Sequence, residues 1–150
     1  MTEATPVIEA VRALARVFRA VERASDELSM ADYRVLSAIV SGEARASRLA
    51  ARLALGKPAI SASVESLNRR GLIVRGSVEG DNRGVTLSLS PQGAELFERM
   101  EQRMARRLLE LCEQTPDATA VIQSLSQLGE AVEVTMSRLA VERRDVEVAK

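Results

Sequence analysis

The 150-residue chain contains no histidine and no tryptophan, one cysteine (Cys112), one tyrosine (Tyr33) and two phenylalanines. Without histidine, most zinc and iron sites and every His-based catalytic arrangement are excluded. A single thiol rules out an internal disulfide and points to a reducing compartment. No run approaches the roughly 18 apolar residues of a membrane span, and the opening MTEATP lacks the basic region of a signal peptide, so a cytoplasmic protein with no membrane partner is expected. Nucleophile–base pairs, phosphate loops and metal-ligand clusters do not appear in the sequence, and the expectation is a non-enzyme that needs no cofactor.

With aromatics at 2% and hydrophobic residues at 46%, the core has to be built from Leu, Val, Ile, Ala and Met, a composition that favours helices. The formal net charge is zero, but its distribution is uneven. Between Glu43 and Gly84 the bases are Arg45, Arg48, Arg52, Lys57, Arg69, Arg70, Arg75 and Arg83. The acids there are Glu43, Glu65, Glu79 and Asp81, so 8 − 4 leaves a surplus of four positive charges, which the flanks cancel. A basic centre in a neutral chain suits a protein that meets phosphate through one face.

The stretch Leu49–Leu89 organises the rest. A short helix pattern near Arg48–Leu53 breaks at Leu55-Gly56, and a second begins at Lys57-Pro58, carries Ile60, Val64 and Leu67 inward, and stops at Arg70-Gly71. Strand-like runs follow at Leu72–Arg75 and Val85–Leu89, joined by a charged loop in which Gly76, Gly80 and Gly84 permit a mobile tip. Helix, tight turn, helix and hairpin form the layout of a winged helix-turn-helix, whose second helix enters a DNA major groove.

Around this lobe the fold class is mainly α with a small β-hairpin wing. Val7, Val11, Leu14, Phe18 and Val21 form a heptad-like stripe on a first helix entered at Pro6, after five loose residues. Ser29-Met30-Ala31-Asp32 is a capping signal for a second helix with Tyr33, Leu36, Ile39 and Val40 as its apolar face. Ser90-Pro91 opens a long helix through Leu96, Phe97, Met100, Met104, Leu108 and Leu111 to about Glu113. After Thr115-Pro116-Asp117 a last helix places Val121, Leu125, Leu128, Val132 and Leu139 on a second stripe, and the tail VERRDVEVAK is expected to fray. The predicted layout is a single unit: residues 29–93 as the DNA-binding lobe, 6–28 and 94–142 as dimerisation helices. Packing both terminal stripes against a second copy would bury them, and a two-fold homodimer is the inference.

Three pieces, LNRRGLIVR (Leu67–Arg75), DNRG (Asp81–Gly84) and VTLSLSPQG (Val85–Gly93), occur in an order and spacing that resemble the MarR family of dimeric winged-helix regulators, and the resemblance extends over nearly the whole chain. The family more often has Thr in the place of Ser90. The resemblance implies a double-stranded-DNA-binding transcriptional regulator, a repressor by the family's default, acting as a homodimer on a palindromic operator. On the recognition helix, Lys57, Pro58, Ala59, Ser61, Ala62 and Ser63 form the exposed N-terminal half, whose small side chains allow deep entry into the groove and whose amides favour phosphate. Ala62 stands where relatives frequently carry a larger polar or basic residue, so specificity leans on DNA shape. In the wing, Arg83 resembles the family arginine that enters the minor groove, oriented by Asp81, with Asn82 and Gly84 completing the tip. Arg45, Ser47, Arg69, Arg70 and Arg75 are phosphate candidates. The family also implies a small aromatic or phenolic effector in a crevice lined by Phe18, Tyr33, Leu36, Phe97 and Met100; plain core packing is the competing explanation for each. Cys112 does not match the cysteine of the peroxide-sensing branch. Two other readings compete with the main one: a helical homodimer that binds a protein partner through a vestigial winged helix, and a Cys112-based redox-responsive regulator.

Overall fold

The computed structural model describes residues 4–42, 45–53, 56–78 and 81–148, and of residues 4, 47, 51, 78, 81–83 and 140–148 the backbone alone. Its elements run α1 (Ala4–Glu22), α2 (Met30–Val40), α3 (Ala46–Leu53), α4 (Lys57–Arg69), β1 (Ile73–Val78), β2 (Asp81–Leu89), α5 (Pro91–Cys112) and α6 (Ala118–Val148). The strands form one antiparallel hairpin, in register from Ile73↔Leu89 to Ser77↔Val85 and then shifted at Val78↔Asp81. An isolated bridge joins Arg45 to Thr86 and brings the start of α3 to the hairpin edge.

Local chemistry accounts for the boundaries. Ser29 caps α2 by accepting from the Asp32 N–H at 3.1 Å, and Asp117 Oδ1 accepts from the Ala120 N–H at 2.9 Å at the start of α6. Helix α4 ends in paired reverse bonds: Gly71 N–H to Asn68 O and Leu72 N–H to Leu67 O, both 3.0 Å. Gly71 sits at φ +69°, the left-handed geometry this stop requires, and the Leu67 and Leu72 side chains are both fully buried behind it. The α4–β1 turn is then fastened to α5. Ser90 Oγ donates to the Gly71 carbonyl at 2.6 Å and accepts from the Gly93 N–H at 3.0 Å, while the Ser90 N–H bonds Leu72 O at 3.0 Å.

Val35, Leu36, Leu49, Leu67, Leu72, Leu87 and Met100 are the innermost side chains, drawn from α2, α3, α4, the hairpin and α5. The lobe therefore closes its core with Leu96, Phe97 and Met100 of α5 and without side chains of α1. Helix α1 packs on α5, α6 also touches α5, and Arg52 of α3 meets Glu133 of α6 at 3.8 Å.

Several expectations are corrected. Val40 is 59% exposed, and Val35 and Ala38 take its place in the core, because successive turns of α2 rotate residue 40 past the buried arc. Gly76 and Gly84 lie inside strands instead of a mobile tip, with β2 beginning at Asp81; Gly80 lies outside the described residues. Helix α1 begins at Ala4, within the stretch expected to be loose. Backbone helix also continues to Val148 through the tail expected to fray, since nothing after Gly129 breaks it: no proline or glycine follows.

Candidate nucleic-acid interface

Helix α4 has a buried and an open side. Ile60, Ser63, Val64 and Leu67 face the core, and Lys57, Pro58, Ala59, Ser61, Ala62, Glu65, Asn68 and Arg69 face outward. Ser63 corrects the expectation: it is only 8% exposed. Three residues after Ile60 and four before Leu67, it falls on the apolar arc of a helix with 3.6 residues per turn and is withdrawn from the contact surface. Its absence leaves Ser61 and Ala62 as the small-residue ridge.

No side chain caps the start of α4, where Gly56 is extended at φ −62°, ψ 143°. Pro58 has no N–H, and the N–H groups of Ala59 and Ile60 both bond the Gly56 carbonyl, at 3.0 and 3.2 Å. The amides expected to favour phosphate are thus largely occupied by the helix's own first turn, and the charge at this end comes from exposed Lys57.

Between α4 and the hairpin runs an open groove of about 540 Å³. Its walls include Ser61, Glu65, Asn68 and Arg69 on the helix, and Arg75 and Val85 on the strands. Arg75 pairs with Leu87 across the hairpin and so lies on the α4-facing side, while Val74 points to the other face. Arg69 Nη1 lies 3.9 Å from Glu65 Oε1, both side chains well exposed, a loose i,i+4 pair that leaves the guanidinium available to a stronger anion.

Glu65 and Asn68 were missed in the sequence. The signal was there: from Ser61 the steps of four and seven that define an exposed ridge arrive at both. Asn68 has the carboxamide geometry that pairs with adenine in a major groove. Glu65, in contrast, puts a negative charge on the same ridge.

Arg45 is exposed at the bridge to Thr86. Arg70 differs from expectation: its Nη2 donates to the Glu27 backbone carbonyl at 2.7 Å, so the side chain turns toward the α1–α2 linker. Gly84 lies in β2, and the side chains of Ser47, Asp81, Asn82 and Arg83 lie outside the described residues.

The residues expected to line an effector crevice split into two groups. Leu36, Phe97 and Met100 are buried, and Tyr33 stacks on Phe97 with ring centres 5.5 Å apart and planes 18° from parallel. The Tyr33 hydroxyl donates to Glu101 Oε1 at 3.3 Å. Burial, with the Glu101 charge and hydrogen bond adding to it, pushes the Tyr33 phenol above its ordinary value. Phe18 stands apart, 43% exposed on α1, with the Arg34 guanidinium 5.8 Å from its ring centre. Cys112 is 3% exposed, among the closely packed side chains. Among the described residues no group of His, Cys, Asp and Glu could hold a metal ion, and no helix is long and apolar enough to cross a membrane.

Comparison with known proteins places this geometry. The MarR family model matches residues 26–84, which span α2 through the wing tip. No curated protein matches the chain. Among solved structures, a MarR-family transcriptional regulator from Rhodococcus sp. RHA1 superposes with a TM-score of 0.73 at 20% identity, covering 88% of this chain and 96% of that one. The PcaV transcriptional regulator from Streptomyces coelicolor, in complex with its natural ligand, gives 0.63 at 26% identity over 89% and 98%. A mutant MarR from E. coli complexed with operator DNA gives 0.62 at 21% over 85% and 97%. Residues 26–84 are thus similar to the MarR family of winged-helix transcriptional regulators, and the flanking helices complete a fold shared with solved structures of such regulators.

Proposed function

We propose that the protein is a homodimeric repressor that binds a palindromic operator in double-stranded DNA and is released by a small-molecule effector. The observation that carries the DNA reading is the groove between α4 and the hairpin, with Ser61, Asn68 and Arg69 facing Arg75 across a width open to solvent. Lys57, Pro58, Ala59, Ser61 and Ala62 approach base edges and backbone, and Arg45, Ser47, Arg69 and Arg75 meet phosphate. Asp81, Asn82 and Arg83, at the start of β2 with Gly84 behind them in the strand, meet the minor groove by resemblance to the family. The E. coli relative bound to operator DNA supports the same use of the fold.

Dimerisation rests on apolar side chains that the protomer leaves open. Val7, Val11, Leu14 and Phe18 on α1, and Leu128, Val132 and Leu139 on α6, are all exposed, whereas Val121 and Leu125 are half-buried. Burying such stripes against a second copy contributes about 25 cal/mol per Å² of apolar surface.

For effector release, the Streptomyces relative in complex with its natural ligand supports a ligand-responsive regulator, and the family resemblance puts the effector near α1, α2 and α5. Phe18 beside Arg34 offers the accessible part of that region, a ring and a cation suited to an aromatic anion. The redox alternative is less well supported, because Cys112 is buried.

Selection of bound fragments from the source genome, followed by gel-shift titration, tests the proposal. It predicts a recurrent inverted repeat and a complex containing two chains; a monomer, or indifference to every duplex at low ionic strength, overturns it.

A further inference from the structure

The linker between α1 and α2 is packed, with Ser25 and Leu28 both buried, and Glu27 between them is bound on both its ends. Its backbone carbonyl accepts from Arg70 Nη2, at the C-terminal end of the recognition helix, at 2.7 Å. Its carboxylate, 29% exposed, meets two arginines one turn apart on α5: Arg103 Nη1 at 3.0 Å on Oε2 and Arg99 Nη2 at 3.6 Å on Oε1. One linker residue thus joins the end of α4 to α5.

We infer that Glu27 is the positioning residue of the recognition helix: held by Arg99 and Arg103 through its carboxylate and by Arg70 through its carbonyl, it fixes the angle of α4 relative to α5. The inference rests on the DNA-binding reading of α4. It removes Arg70 from the phosphate contacts and gives α5 a route to α4 through polar contacts, beside the apolar core and the Ser90 clamp. A carboxylate is needed because one guanidinium occupies each of its oxygens. An amide at the same position keeps the shape but offers one acceptor and no charge.

The test uses the full-length dimer and two probes: a 30-bp duplex recovered by selection from a random-sequence library, and a random-sequence duplex of about the same length. Wild-type binding to both at low salt tests the DNA reading alone. Against that baseline, Glu27→Gln, Arg70→Gln and the Arg99→Gln/Arg103→Gln pair should each lose about twofold to fivefold in affinity for the selected duplex, the scale of a partly exposed ion pair. The same variants should keep the wild-type salt slope on the random duplex, because no phosphate contact is lost. Lys57→Ala, a phosphate control, should lower that slope by about 0.9 for each contact removed. Combining Glu27→Gln with Arg70→Gln should cost no more than either alone, and Arg70→Lys should restore part of the loss. Helicity and melting temperature checks confirm that each variant is folded. A lowered slope for Arg70→Gln, additive losses, or full selectivity in both Glu27→Gln and the α5 pair overturns the inference.

Discussion

Tyr33 is the chain's one tyrosine, and with no tryptophan present its ionisation can be followed directly in the near ultraviolet. Burial and the neighbouring Glu101 carboxylate hold its phenol above the ordinary value of about 10. A proton-bearing form favoured by folding adds stability that is complete below the unfolded value and disappears as pH climbs through the raised folded one. The native protein should therefore show phenolate absorbance appearing above pH 10, with stability falling over the same interval. Tyr33→Phe should remove that alkaline dependence; a native titration coinciding with that of the urea-unfolded chain would refute the assignment. Arg75 supports a second expectation at this scale. Its place on the α4-facing side of the hairpin predicts that Arg75→Ala weakens binding to every duplex alike and lowers the salt slope by about 0.9 per lost contact, with an unchanged melting curve.

Among the elements, the junction of β1 and α5 tolerates least. A Cβ at Gly93 would lie 1.9 Å from the Leu72 carbonyl oxygen, itself bonded by the Ser90 N–H. Gly93→Ala should cost about 3 kcal/mol in chemical denaturation, as overpacking against backbone does. Ser90→Ala should cost about 1 kcal/mol as a lost cap. How much of this was readable beforehand varies with the kind of signal. Serine caps, Pro91 and Gly71 act within a few residues of themselves, so the boundaries of α2, α4 and α5 could be read from local sequence to within a residue. The burial of Ser63 could not, because a hydroxyl carries no apolar label and only helical phase reveals its side. Val40 failed for the opposite reason: an apolar label on a solvent-facing position. Within the candidate interface, the helix face was recognisable from its small residues. The pairing of Arg70 with Glu27, 43 positions away, depends on tertiary approach that no local pattern records.

At the scale of the whole molecule, the proposed homodimer would be held by the terminal helices. Val11, 60% exposed in mid-stripe on α1, is the position at which a charge should be least tolerated in a dimer. Val11→Asp should shift the protein toward monomer in sedimentation and abolish high-affinity operator binding, while secondary structure in the lobe persists because its core is closed without α1. For the unmodified protein, mass action makes the melting temperature rise with concentration, and a concentration-independent melt would argue against the dimer.

Helix α6 runs from Ala118 to Val148, 31 residues, about 46 Å at 1.5 Å per residue. A rod of that length acts as a lever arm. Tilting it by about 5° about one end sweeps the other through about 4 Å, close to the ~3.4 Å step between neighbouring nucleotides along a strand. In the proposed homodimer, a slight change of pitch where these arms meet would therefore be enough to carry a reading head out of phase with the helix beneath it.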